Sequence, residues 1–239
     1  MLGDLRYAMR QLRKSPGFAL TALMTLAIGI GVNAAVFSVM DAIVLRPLAV
    51  PDLNRVMTVS EDRGRGKYQY EWVTAANYED WKRESRSFES LAIFKRDSMS
   101  LTGAGEAAHV TATRSSADCW DVLKVDAFMG RVFRADECQP GRDGEAVLGY
   151  NFWQTQFASD PSVTGRKVEL DGREYTIIGV MPKGLVYPPA VDLYLPWAPT
   201  PAQLNDRAGH DYMVVGRLRP GVSAHEAVAE LRGIAARLA

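Results

Sequence analysis

From Ser15 to Met40 the chain carries no charged side chain, and few folds accept such a run. Phe18 to Met40 is 23 residues, about 34 Å as a helix against a hydrocarbon core of about 30 Å. The stretch holds ten Leu, Ile, Phe and Val residues. Each favours insertion by roughly 0.3–0.6 kcal/mol, which absorbs the cost of Asn33 and the glycines. Arg6, Arg10, Arg13 and Lys14 stand ahead of the run, and only Arg46 lies close behind it. That basic flank keeps the N-terminus in the cytoplasm and puts the chain after residue 45 outside.

Two other readings of the run fail. Gly29, Gly31 and Ala34 fit G-x-G-x-x-A, the dinucleotide-binding turn, with Asp52 as the following acid. That turn needs a short strand before it and a second strand ending at the acid. No turn signal separates Gly29 from Gly17, and Pro47 and Pro51 bar a central parallel strand. A cleaved signal peptide also starts basic and turns apolar, and "VNA" at 32–34 resembles a cleavage site. The apolar run here exceeds a usual signal core. Ahead of it Leu2, Leu5, Met9 and Leu12 recur at spacings of three and four among Asp4, Arg6, Arg10, Gln11 and Arg13. This pattern predicts an amphipathic helix at the cytoplasmic membrane interface over residues 1–16, ended by "SPG". An uncleaved transmembrane helix over 17–45 follows. Within it Ala27, Gly31 and Ala35 repeat every fourth residue, a spacing that lets a second helix approach closely in lipid.

The remaining 194 residues from Arg46 suffice for one substantial domain or two small ones. "VMTVS" at 56–60, "LAIF" at 91–94 and "HVTATR" at 109–114 read as strands, and the stretch from Thr74 as a helix. "KVELDGREYTIIGVMP" is a hairpin about Asp171-Gly172. Ser223 and Glu226 have capping-box spacing, and Ala224, Val228, Leu231, Ala235 and Leu238 form one face of a closing helix. The class is α+β: one N-terminal transmembrane helix, then a mixed α/β extracytoplasmic domain over 46–239 of two subdomains.

Catalytic patterns are missing. The 28 basic and 28 acidic residues balance, so no basic stripe suggests nucleic acid. His109, His210 and His225 lack metal-binding spacing, and no G-x-S-x-G or Walker A occurs. "RGRGK" at 63–67 lacks the phosphate-loop pattern, and "GAGEAA" at 103–108 reads as a hairpin loop. Glu79 and Asp80 are neighbours on a helix and point apart, which suits a wet face. Catalytic, cofactor and metal sites are therefore expected to be absent. Cys119 and Cys138, the only cysteines, are compatible with a disulfide in an oxidising compartment. Cys119 lies in a helical "ADCWDVL", where a buried free thiol fits as well, and the reading favours free thiols.

"LRYAMRQLRKSPGFALTALMTLAIGIGVNAAVFSVMDAIVLRPL" resembles the start of the MacB-like and FtsX-like permeases of ABC transporters, closest to the long duplicated ones. "NYEDWKRESRSFESLA", "MGRVFRADE", "FWQTQFASDPSVTGRKVELDGREYTIIGVMP" and "GRLRPGVSAHEAVAEL" are similar to segments of the MacB-like periplasmic core domain, in the family's order. Lys124 in "DVLKV" stands where that family usually has glycine, a departure expected to alter one turn. The family continues into further membrane helices, and here nothing follows Ala239.

The resemblance implies the N-terminal part of a permease subunit in the bacterial inner membrane, with its bulk periplasmic. Its partners would be a separate ABC ATPase subunit, further permease helices or a second permease copy, and membrane lipid; nucleic acid is not expected. ATP-driven motion would pass through the helices to the outer domain for export or mechanotransmission. The competing reading is a single-pass anchored extracytoplasmic binding or sensor module without transport.

Overall fold

The computed structural model describes residues 14, 16–40, 50–62, 70–103, 107–185, 187 and 191–238. Apart from Lys14 and Pro16, the amphipathic helix expected over 1–16 lies outside these, as does "RGRGK" at 63–67. The chain divides into two units, residues 1–47 and 48–239.

In the first unit, helix α1 runs over Pro16–Met40, 25 residues without an acid in its first turn or a base in its last. Its start follows from Pro16, whose fixed φ suits a first helical turn. Among the described residues no helix is long and apolar enough to cross a membrane.

Among the described residues, the second unit holds eleven strands and five α-helices. In chain order they are β1 Val56–Val59, β2 Glu61–Asp62, β3 Tyr70–Glu71, α2 Ala75–Glu84, β4 Phe88–Thr102, β5 Ala108–Ser115, α3 Asp118–Leu123, β6 Met129–Gly130, β7 Glu145–Leu148, α4 Tyr150–Gln156, β8 Lys167–Leu170, β9 Arg173–Val180, β10 Leu193–Pro196, α5 Pro201–Asn205, β11 Met213–Leu218 and α6 Ala224–Leu238. Nine strands join in the order β1-β11-β4-β5-β10-β7-β9-β6, with β8 bridging β9 and β4. Only β5–β10 and β7–β9 run parallel. The mixed α/β class read from the sequence holds.

The 15-residue β4 organises this sheet. Its first half pairs with β11, which pairs with β1. Its second half opens a ring, β4-β5-β10-β7-β9-β8, that returns to β4 through Leu101↔Leu170 and Thr102↔Glu169. The side-chain pattern of β4 changes where its role changes. Leu91, Ala92, Ile93 and Phe94 are all buried, because both faces of the sheet are covered there. From Met99 to Thr102 burial alternates, since only one face looks into the ring.

Three clusters fill the core. Each ring strand turns a pair inward: Met99 and Leu101, Val110 and Ala112, Leu193 and Leu195, Ala146 and Leu148, Tyr175 and Ile177, Val168 and Leu170. Six strands leave room for side chains but none for a channel. On the other half, Leu91 and Ile93 pack under α2 and α6 with Tyr78, Trp81 and Leu231. Ala92 and Phe94 face α3, with Trp120, Val122 and Leu123. Gly216 of β11 is required by contact, since a Cβ there would lie 2.4 Å from the Phe88 ring. Residues 48–239 gather into one compact unit, with β4 running through both halves, and the two subdomains expected from the sequence are not separated in it.

Helix ends follow their sequence signals. Thr74 Oγ1 accepts from Asn77 N at 3.1 Å. Ser223 and Glu226 form the expected box, Ser223 N donating to Glu226 Oε2 at 2.8 Å and Glu226 N to Ser223 Oγ at 3.2 Å. The Asp171-Gly172 hairpin forms, with Leu170 paired to Arg173.

Two expectations need correction. The buried face of α6 is Ala227, Leu231 and Ile234, while Ala224 and Ala235 are exposed and Val228 only half-buried. The alanines offer little area to bury, so Ile234 sets the rotation instead. Asp80 is not on a wet face: it is buried and paired with Arg83 and, from across the fold, with Arg207 at 2.7 Å. Burial alone would raise its pKa, but the two guanidinium groups outweigh that and hold it below the ordinary value.

Glu230 docks α6 onto the start of β4, accepting from Ser85 Oγ at 2.8 Å, Arg86 N at 2.8 Å and Ser87 N at 2.9 Å. Burial opposes its charge, yet these donors bring its pKa from 4.5 to about 2. A carboxyl whose folded pKa is depressed adds stability above its unfolded pKa and loses it as pH falls through the folded one. Glu230→Gln should therefore flatten the loss of stability between pH 4.5 and about 2, measured by denaturant unfolding across that range. Lys124 ends α3 at φ 52, ψ 47, the left-handed region that favours glycine. Lys124→Gly should raise the unfolding free energy by roughly 0.5 kcal/mol, and an unchanged or lowered denaturation midpoint would contradict that strain.

Candidate functional site

The polar groups of α1 turn back on its own backbone. Thr21 Oγ1 donates to Gly17 O, Thr25 Oγ1 to Thr21 O and Asn33 Nδ2 to Gly29 O, each at 2.9 Å. Such bonds lower the cost of a hydroxyl or amide in an apolar medium. Around them the large side chains are exposed, Leu23 at 65% and Ile30 at 67%. Ala27, Gly31 and Ala35 follow one another along the helix, and an added Cβ at Gly31 would meet nothing within 4 Å. Gly17, Thr21, Thr25, Gly29 and Asn33 make a second four-residue row on a different face. Sequence reasoning passed over it by counting only alanine and glycine as small. Of the basic flank, Lys14 is exposed, while Arg6, Arg10 and Arg13 lie outside the described residues.

In the outer unit, the titratable groups serve structure. His109 is exposed on β5 and His225 in the first turn of α6. His210 sits with Nε2 2.9 Å from Glu61 Oε2. The same carboxylate accepts from Thr74 N at 3.0 Å and Asn77 Nδ2 at 2.9 Å, so it fixes the start of α2. Among the described residues no group of three His, Cys, Asp or Glu could hold a metal ion. Cys119 and Cys138 are free. Burial pushes their thiols up to about 12 and about 11, far from a reactive thiolate.

Two polar clefts of about 450 and 410 Å³ lie on either side of α3, and Asp118, Asp121 and Lys124 line both. Among their charges Lys82 pairs with Asp118 at 2.7 Å and Lys124 with Glu89 at 2.9 Å. Elsewhere Phe128, 58% exposed, rests edge-on against Tyr150 at 5.6 Å. Among the described residues at these places, no nucleophile stands together with a base and an orienting group.

A known family covers nearly all of this architecture. The model of the MacB-like periplasmic core domain matches residues 19–234. No curated protein matches the chain. Among solved structures, the periplasmic region of MacB from Actinobacillus actinomycetemcomitans is similar at a TM-score of 0.60 and 16% identity, covering 80% of this chain and 88% of that one. A permease domain from Porphyromonas gingivalis is similar at 0.62 and 18%, covering 79% and 83%. The extracellular domain of the noncanonic ABC-type transporter YknZ from Gram-positive bacteria is similar at 0.51 and 16%, covering 73% and 86%. At these identities the structures speak for the fold, and the family match speaks for descent: the chain belongs to the MacB-like periplasmic core domain family of ABC transporter permeases.

Proposed function

We propose that this chain is the N-terminal part of a permease subunit of a MacB/FtsX-type ABC transporter, anchored in the bacterial inner membrane with its bulk in the periplasm. Residues 1–16 lie along the cytoplasmic face, 17–45 span the bilayer and 46–239 form the outer domain. The observation that carries the reading is the extent of the family match, which begins inside the apolar helix at residue 19 and runs to 234 without a break. Helix and outer domain are thus parts of one family pattern. The uncharged run and its basic flank support the orientation.

The subunit makes no bond and breaks none. Energy comes from a separate ABC ATPase subunit, a reading that the match to the permease family supports. Motion enters through the membrane helices, and the outer domain turns it into export or into work on an outer partner. Close helix contacts at Ala27, Gly31 and Ala35 carry that motion. In lipid, apolar area gives helices no preference for each other over acyl chains, so close packing of small residues must supply it.

Two measurements test this. Reporter fusions after residue 60 should be active as periplasmic reporters and inactive as cytoplasmic ones; cytoplasmic activity, or a mature protein beginning near Ala35, would reverse the topology. Co-expressed with further permease helices and an ATPase, Gly31→Leu should reduce recovery of the complex several-fold while the outer domain stays folded. Equal recovery would remove that row from the account. ATP hydrolysis by the purified chain alone would overturn the non-enzymatic reading.

A further inference from the structure

The segment 50–55 leads from the first unit into the sheet, and α3 forms the shared wall of the two clefts. We propose that this lead-in segment is tied to the last turn of α3 by two separate side-chain links, so that a displacement of one is passed to the other and reshapes the clefts.

The first link is Arg217 of β11, a guanidinium 1% exposed in the core. Its Nε donates to Val122 O at 2.7 Å and its Nη2 to Pro51 O at 2.9 Å. Among the described residues no carboxylate bonds to it, and burial, with Arg55 nearby, lowers its pKa. Glu89 and Asp52 act on it only from a distance, and a buried charge so weakly compensated adds little stability over an apolar side chain. What it does supply is a planar fork that grips two carbonyls from different segments at once. One is in the lead-in segment and the other in the last turn of α3. Val50 packs in the same cluster as Val122 and Leu123.

The second link is Arg55–Glu89–Lys124. Arg55 is held on β11 through Leu218 O, by Nε at 2.9 Å and Nη2 at 2.7 Å, and Nη2 also pairs with Glu89. The other oxygen of Glu89 meets Lys124 Nζ at 2.9 Å, and Lys124 is the residue that ends α3. The pair is 44% and 33% exposed, so it is weaker than the buried link. Both links nevertheless end on residues 122–124. The device is a property of the folded outer domain, and it stands whether or not α1 spans a bilayer.

Hydrogen exchange on the full chain in detergent micelles tests it, comparing wild type with Arg217→Met and Glu89→Gln. In Arg217→Met, amides of 50–56 and of 118–125 should speed up together by roughly tenfold or more, while β8 and β9 keep their protection. In Glu89→Gln the same two segments should rise together by about two- to threefold. Should Arg217→Met unfold the domain, seen as lost protection in β8 and β9, the Glu89→Gln result decides. Faster exchange in one segment without the other, or in neither, overturns the proposal.

Discussion

Everything in the outer domain hangs on hydrogen bonds along the two edges of one strand. Along Phe88–Phe94, β4 holds β11 and through it β1. Along Phe94–Thr102 it holds β5, and at its end β8 as well. An antiparallel strand of ordinary length could serve one of these sheets but not both. The helices then fall into place by side-chain direction: Leu91 and Ile93 call for cover on one face, Ala92 and Phe94 on the other. Tyr78 of α2 reaches into this layer and donates its hydroxyl to Leu91 O at 3.1 Å, so the covering helix is fixed to the strand by a polar contact inside an apolar one.

Local chemistry was legible in the sequence and tertiary closure was not. The Asp171-Gly172 turn, the helix from Thr74, the Ser223 cap and the strand at 109–114 depend on neighbours a few residues away, and each lies where its signal put it. The face of α6 was read from helical period alone, and two alanines were counted as equal to Ile234, although buried area decides rotation. Asp80 looked solvated because Arg207, its partner, is 127 residues distant. The return of β8 to β4 rests on two residue pairs, too short for any pattern. Arg217 in "GRLRPG" likewise gives no hint that it will be buried and bonded to the last turn of α3. The spacing of the alanine and glycine row in α1 is visible in the sequence, whereas the clefts beside α3 exist only once the strands are assembled.

Lys124 shows how a family departure is absorbed. The turn that ends α3 keeps its left-handed residue although a side chain now occupies it. The ammonium finds Glu89, which offsets part of the backbone cost. Lys124 thus joins a contact that glycine could not make.

The Asp171 turn has a second role that bears on how such domains live side by side. Its main-chain N donates to Ser100 O at 3.0 Å, and its carboxylate accepts from Ser100 N at 2.8 Å, stapling the seam where the ring closes. Within that ring no row of amides and carbonyls is left open to recruit a stray β-segment. When such domains crowd together, the ring strands are thereby withheld from strand exchange, and among the described strands of this sheet it is the outer edges of β1 and β6 that stay open to it.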